Sequence, residues 1–308
     1  MNRFIKQSLL RVGFASGYFA ARRRLGADSF RIVTYHGVDP DQHDVVNFDR
    51  LQTHPDIFAG QIELFARHFK IMPLREAVGY YRDHGRWPVR GLAITFDDGY
   101  RNNLEYAAPI LERAGAHATF FVTSGFIDKQ LAPWWYLLRE HLARQPESPV
   151  KQMIQRAIEQ EDLLRPMNES HRASALARMS VPAEGTLRYP FLDRQQCREL
   201  LKRGFDVQCH SHNHISFAGE TTERILQDIA LSADFIRSVG HTPWSWAYPY
   251  GHEPKDVLNV RKGLQDQGIL TAVTTRVLCN GRNADLFALG RYDLHGGYSP
   301  EAALARIS

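Results

Sequence analysis

From residue 30 onward the chain alternates short apolar runs with segments whose apolar residues recur at helical spacing. That alternation restricts the fold to β/α units around a mostly parallel sheet. FRIVTYHG reads as a buried strand ending at His36, and Asp56 to Phe69 carries a helical apolar face that leads into the short strand FKIMPL. The helix LREAVGYYRDHG stops at Gly85, GLAITF is the next strand, Asn103 to Ala114 the next helix, and HATFFVTSG the strand after it. The rhythm breaks between about residues 126 and 189, where a Trp134-Trp135-Tyr136 cluster precedes charged helical segments such as VKQMIQRAIEQEDLL. A long excursion of this kind is either a functional lid or binding surface, or a plain solvated helical hairpin. The β/α pattern then resumes with the helix DRQQCRELLKRG, the strand FDVQ, the helix TTERILQDIALSADFIRSVG and the strand WSWAYPYG. A helix before ILTAVTT and a last one opening at Ser299-Pro300 complete it.

Within that frame the chemistry-bearing residues stand at strand ends. Asp97 and Asp98 close the apolar run of GLAITF, and parallel α/β folds keep their reactive groups at such C-terminal ends. Adjacent side chains on a strand end diverge, so one acid can bind a cation while the other serves as base. After the strand FDVQ comes CHSHNH, offering His210, His212 and His214. Histidines at i and i+4 converge on one ion where the backbone turns helically, which favours His210 with His214 and leaves His212 pointing elsewhere. Two imidazoles and the Asp98 carboxylate make a three-ligand site with positions open for water and substrate, and Asp97 beside it can take a proton. That combination is suited to hydrolysing an amide. Cys209, next to His210, reads as a small buried strand residue.

These motifs resemble the polysaccharide deacetylases, carbohydrate esterase family four. The likeness covers TFDDG at 95–99, His-x-x-x-His at 210–214, YPYG at 248–251 and the opening TYHGV at 34–38, the last like the branch acting on exopolysaccharide or poly-N-acetylglucosamine. It implies an α/β fold, a distorted (β/α) barrel with fewer than eight regular strands, here with a mainly helical insertion. It implies Asp97 as base, Asp98, His210 and His214 as ligands of a divalent ion, Zn2+ first with Co2+, Ni2+ or Mn2+ as alternatives. The Tyr250 backbone N–H would then stabilise the oxyanion. Two positions depart from the pattern. Ala247 stands where the family often has an arginine that orients the base, with Arg291 of FALGRYDLHG as its substitute, and the general acid is left between His36 and His295. The implied activity is removal of N-acetyl groups from N-acetylhexosamine units of a polysaccharide or lipid-linked glycan. A deformylase or acetyl-ester hydrolase on a related glycan, or a catalytically silent carbohydrate-binding assembly protein, are the alternatives.

Composition sets the remaining expectations. With 308 residues, 44% of them hydrophobic, the chain can bury a large core. Its net charge of +4 arises from 38 Lys and Arg against 34 Asp and Glu; six of the basic residues (Arg3, Lys6, Arg11, Arg22, Arg23, Arg24) precede the first acid, Asp28, leaving 32 against 34. The charge therefore belongs to an arm at 1–26, with the deacetylase domain at 27–308, and no basic nucleic-acid groove is expected. In that arm Phe4, Leu9, Leu10, Phe14, Tyr18 and Phe19 amid the cations suggest either a helix lying on an anionic membrane surface or a helix packed on the domain. Three unpaired cysteines point to a reducing compartment, hence a cytoplasmic location, peripheral on the inner membrane if the arm takes the first of these two roles.

Overall fold

The structure is a computed structural model and describes residues 13, 16–26, 28–42, 45–144 and 150–308. Most of the arm, including Phe4, Leu9, Leu10 and Phe14, lies outside the described residues; its last part is helix α1 (Tyr18–Leu25). Strands β1 (Arg31–Tyr35), β2 (Gly37–Val38) and β3 (Gln52–Thr53) follow, then α2 (Pro55–His68), β4 (Lys70–Ile71), α3 (Leu74–His84) and β5 (Gly91–Phe96). After β5 the chain makes one π-helical turn, Asn103–Ala107, before α4 (Ala108–Arg113), so the single helix expected there is wound in two ways. Next come β6 (Ala118–Val122), α5 (Ser124–Lys129), and three helices that interrupt the alternation: α6 (Trp134–Ala143), α7 (Val150–Leu164) and α8 (Glu169–Arg178). The rhythm returns with α9 (Arg194–Lys202), β7 (Asp206–Cys209), α10 (Thr222–Ser238), β8 (Ser245–Ala247), α11 (Val257–Asp266), β9 (Thr271–Val273), β10 (Tyr292–Asp293) and α12 (Pro300–Ile307).

All pairings in the main sheet are parallel, in the order β10-β1-β5-β6-β7-β8-β9, with β4 added beside the start of β5. Both faces of β1, β5 and β6 are buried, which is why their sequences run mostly apolar without alternation. Val33, Tyr35, Ile94, Phe96, Phe120 and Val122 pack on the outer helices, while Ile32, Ala93 and Phe121 join a second cluster from the opposite face. Helix α2 places Phe58, Ile62 and Phe65 in the outer layer, each contributing about 1.5–3 kcal/mol by burial.

One stretch joins the two ends of the sheet. Leu289 exchanges hydrogen bonds with the β9 backbone (Leu289 N to Ala272 O, 3.0 Å; Thr274 N to Leu289 O, 2.8 Å), and three residues later β10 pairs with β1. Segment 286–293 thus carries the hydrogen-bond ladder from β9 round to β1. The result is the distorted (β/α) barrel, and its C-terminal strand ends share one mouth: His36 after β1, Asp97 and Asp98 after β5, His210 after β7, Tyr248 after β8 and Thr275 after β9.

Candidate metal and acid-base site

The carboxylate of Asp98 and the rings of His210 and His214 meet at that mouth. Their ligand atoms all lie within 4.8 Å of one another, with Asp98 Oδ1 3.5 Å from His210 Nε2 and 3.3 Å from His214 Nε2. All three are buried. Burial alone would raise the Asp98 pKa, but the hydrogen bonds from His210 and His214 outweigh it and hold the carboxyl well below its usual range. His214 is pushed down to about 4, chiefly by burial, which keeps its nitrogen lone pair available at neutral pH. His210 Nδ1 donates to the Ala247 carbonyl at 2.9 Å, so its Nε2 is the atom turned toward Asp98. A buried carboxylate facing only imidazoles is an anionic cradle, and this donor set fits a borderline divalent cation.

The histidines do not converge in the way their spacing suggests. Residues 210–215 form no helical turn; instead Ser211 (φ 71°) and His214 (φ 53°) take left-handed backbone, which folds the chain back within four residues. Asp98 (φ 71°) and Tyr250 (φ 58°) are left-handed as well. Such conformations cost about 1–3 kcal/mol each outside glycine, and their gathering at one mouth marks it as a place where geometry outranks stability. Gly99 (φ 83°) needs its glycine for a second reason, since a Cβ there would lie 3.0 Å from Val122.

Asp97 is held by Arg291. Nη1 and Nη2 of the guanidinium donate to its two oxygens at 2.7 and 2.6 Å, Nη1 also reaches Thr34 Oγ1 (3.0 Å) and Thr95 Oγ1 (3.2 Å), and Nε donates to the Thr274 carbonyl (2.9 Å). Strand geometry sets this up. Thr34 and Thr95 are direct register partners across β1 and β5, and Asp97 follows Thr95 by two residues, so the three share one face. Burial pushes the Asp97 pKa up and the Arg291 charge pulls it back further, leaving it below the usual carboxylate value.

His36, His295, Tyr248 and Tyr250 line the same cavity, about 550 Å³ in volume. His212 turns away and pairs with Ser124 Oγ at 2.8 Å. Cys209 is buried, and burial pushes its thiol up to about 12.

Two groups of residues escape a reading of local motifs. The first is Asp228 of α10, buried and raised in pKa by that burial, which accepts from Ser211 Oγ (2.5 Å), His212 N (2.9 Å) and Asn213 N (2.9 Å). It fixes the loop that presents both histidines. A signal existed: Asp228 is the one acid on the stripe formed by Ile225, Ile229 and Ile236. Replacing Asp228 by alanine is expected to leave three donors, one of them buried, without this partner and weaken metal affinity about 10–100-fold, read by titration calorimetry; unchanged affinity would remove it from this role. The second group flanks His214, whose Nδ1 is buried with no hydrogen-bond partner among the described residues. Its ring is held by packing against Phe126, Trp135 and Tyr250, at centroid distances of 5.7, 5.2 and 4.6 Å.

Comparison with known proteins agrees with this architecture. The profile of the polysaccharide deacetylase family matches residues 85–268. The protein YxkH of Bacillus subtilis is 22% identical over 215 residues, which are 70% of this chain and 55% of that protein, so the chain spans about half the length of this curated relative. Among solved structures, the Streptococcus pyogenes deacetylase PplD superimposes with a TM-score of 0.64 at 17% identity, covering 91% of this chain and 98% of that one. IcaB from Ammonifex degensii gives 0.61 at 18%, with 91% and 98% covered. The deacetylase domain of BpsB from Bordetella bronchiseptica gives 0.58 at 19%, with 87% and 96% covered. At these identities the structures speak for the fold, and the family profile, which spans more than half of the residues, speaks for descent: the chain belongs to the polysaccharide deacetylase family.

Proposed function

We propose that the protein is a divalent-metal-dependent hydrolase that removes N-acetyl groups from N-acetylhexosamine units of a polysaccharide or related glycan. The observation that carries this is the buried Asp98, His210 and His214 cluster beside an aspartate that a buried arginine keeps ionised. Asp98, His210 and His214 would hold the ion, Zn2+ being our first choice. When bound, such an ion supplies Lewis acidity toward the amide carbonyl and makes water more acidic. Asp97 receives the proton. Its lowered pKa makes it a modest base, and in return it is ionised and fixed in direction at any working pH. Arg291 is a positioning residue, acting only through Asp97. We assign oxyanion stabilisation to the peptide N–H of Tyr250, supported by its left-handed backbone and its ring contact with His214. For the proton given to the leaving amine, His36 and His295 are the candidates in the cavity; burial lowers the His295 pKa, which makes its cationic form a stronger acid and a less populated one.

Purified protein should release acetate from chitooligosaccharides or poly-N-acetylglucosamine. Chelation is expected to reduce the rate at least about a hundredfold, with recovery on adding Zn2+, Co2+, Ni2+ or Mn2+. Release that is indifferent to chelation would end the metal-dependent reading. The same proposal includes a cytoplasmic protein that touches an anionic membrane surface through its arm, supported by the exposed Arg22 and Arg24 in the last turn of α1, while Arg23 donates to Ser308 Oγ and fastens that helix to the domain. Among the described residues no helix is long and apolar enough to cross a membrane.

A further inference from the structure

Helices α6 to α8 build a wall at the barrel mouth, and both ends of that wall are fastened to the barrel. At one end Trp134 Nε1 donates to the Tyr250 hydroxyl at 2.9 Å, and Arg172 Nη1 donates to the same oxygen at 3.3 Å. The Arg172 guanidinium lies 5.2 Å from the Trp134 ring centroid and 5.6 Å from that of Tyr250, so three side chains form one block next to His214. At the other end Arg139 of α6, only 1% exposed, makes a fork with Glu161 of α7 (2.6 and 2.9 Å) and another with Asp49 (2.7 and 3.3 Å). It also donates to the Val46 carbonyl at 2.6 Å and lies 4.3 Å over the Phe48 ring. All five of its N–H groups are therefore used. One buried cation ties two insertion helices to the segment between β2 and β3, and removing it would leave the Glu161 carboxylate, which is 2% exposed, with Arg165 Nη2 at 2.8 Å in place of two cations.

The wall thus reaches from Tyr250, after β8, to Asp49, before β3. Trp134, Trp135, Arg165 and Pro166 face the cavity from this side, and strand-end residues such as Thr275 and His295 complete it. A cavity of 550 Å³ is typical of sites that enclose most of a drug-sized ligand, which for a glycan is about two hexosamine rings. A unit inside a polymer must leave its site by glycosidic bonds on two sides and so needs a groove open at both ends. The end of a chain needs one exit.

Resting on the deacetylase reading above, we infer that the α6–α8 wall makes this a site for the end of an N-acetylated glycan and excludes the interior of a long one. The test uses the full chain loaded with Zn2+ and N-acetylglucosamine oligomers of two to six units, with the deacetylated positions mapped by mass spectrometry. The expected result is loss of acetate from end units only, with kcat/KM flat beyond about two units. The variant Trp134→Ala, which takes away a partly exposed face of the wall, is expected to add internal products. Deacetylation of internal units by the unmodified protein, with kcat/KM climbing through the hexamer, overturns the inference and leaves the activity standing. End-only products from both proteins overturn the role of the wall. Absence of acetate from every oligomer overturns the deacetylase reading itself.

Discussion

The variant Asp98→Ala is expected to lose bound metal and to release acetate about a thousandfold more slowly, or less. Asp98 is the sole carboxylate among the three clustered donors, and its oxygen lies within 3.5 Å of both ligand nitrogens. Without it two neutral imidazoles remain, too few to hold a divalent ion against water. Folding should survive. In the absence of metal the carboxylate is held by hydrogen bonds from His210 and His214 that outweigh its burial, so at neutral pH the metal-free variant should melt somewhat below the metal-free parent. The parent should gain melting temperature on adding Zn2+ and the variant should not, because only a ligand bound to the native state stabilises it. Retained metal in the purified variant, or a rate within tenfold of the parent, would remove Asp98 from the centre of the site.

The second large effect is expected at Arg291. Replacement by methionine leaves the Asp97 carboxylate, 4% exposed, without its counter-charge, a situation that costs about 3–5 kcal/mol in buried pairs. Activity should fall about a hundredfold, since the base is left free to protonate and to move. Arg291→Lys should rescue little, because one ammonium cannot span both Asp97 oxygens while also reaching Thr34, Thr95 and the Thr274 carbonyl. The double variant Asp97→Asn/Arg291→Met separates the two consequences. It should regain at least about 1 kcal/mol of the lost stability, measured by urea unfolding, and no activity. A double variant that is no more stable than Arg291→Met alone would contradict the counter-charge account.

What could be read directly from the sequence was what is local. TFDDG and CHSHNH each lie on a few consecutive residues at a strand end, so strand periodicity and spacing were enough to single out Asp97, Asp98, His210 and His214. Even there the backbone reason differs, since left-handed residues rather than a helical turn bring the two histidines together. Arg291 could be proposed only by looking for a replacement for Ala247, because the contact joins residues 194 positions apart. The polar Thr34 and Thr95 inside mostly apolar strands were the trace it left. Asp228 was concealed by lying on another element from the loop it braces. Trp135 and Arg139 act through packing and ion pairs between an insertion and the barrel, and no periodicity within either segment encodes such a meeting. The insertion itself was visible as a break in rhythm, but its attachment at both ends depends on tertiary structure.

Segment 286–293 joins β9 to β1 and also carries Arg291. During synthesis from the N-terminus, Asp97, Asp98, His210 and His214 all leave the ribosome before this segment does. Until it docks, the strand ladder is open and Asp97 has no guanidinium beside it. Docking of this segment therefore closes the strand ladder and supplies the Asp97 guanidinium in one event.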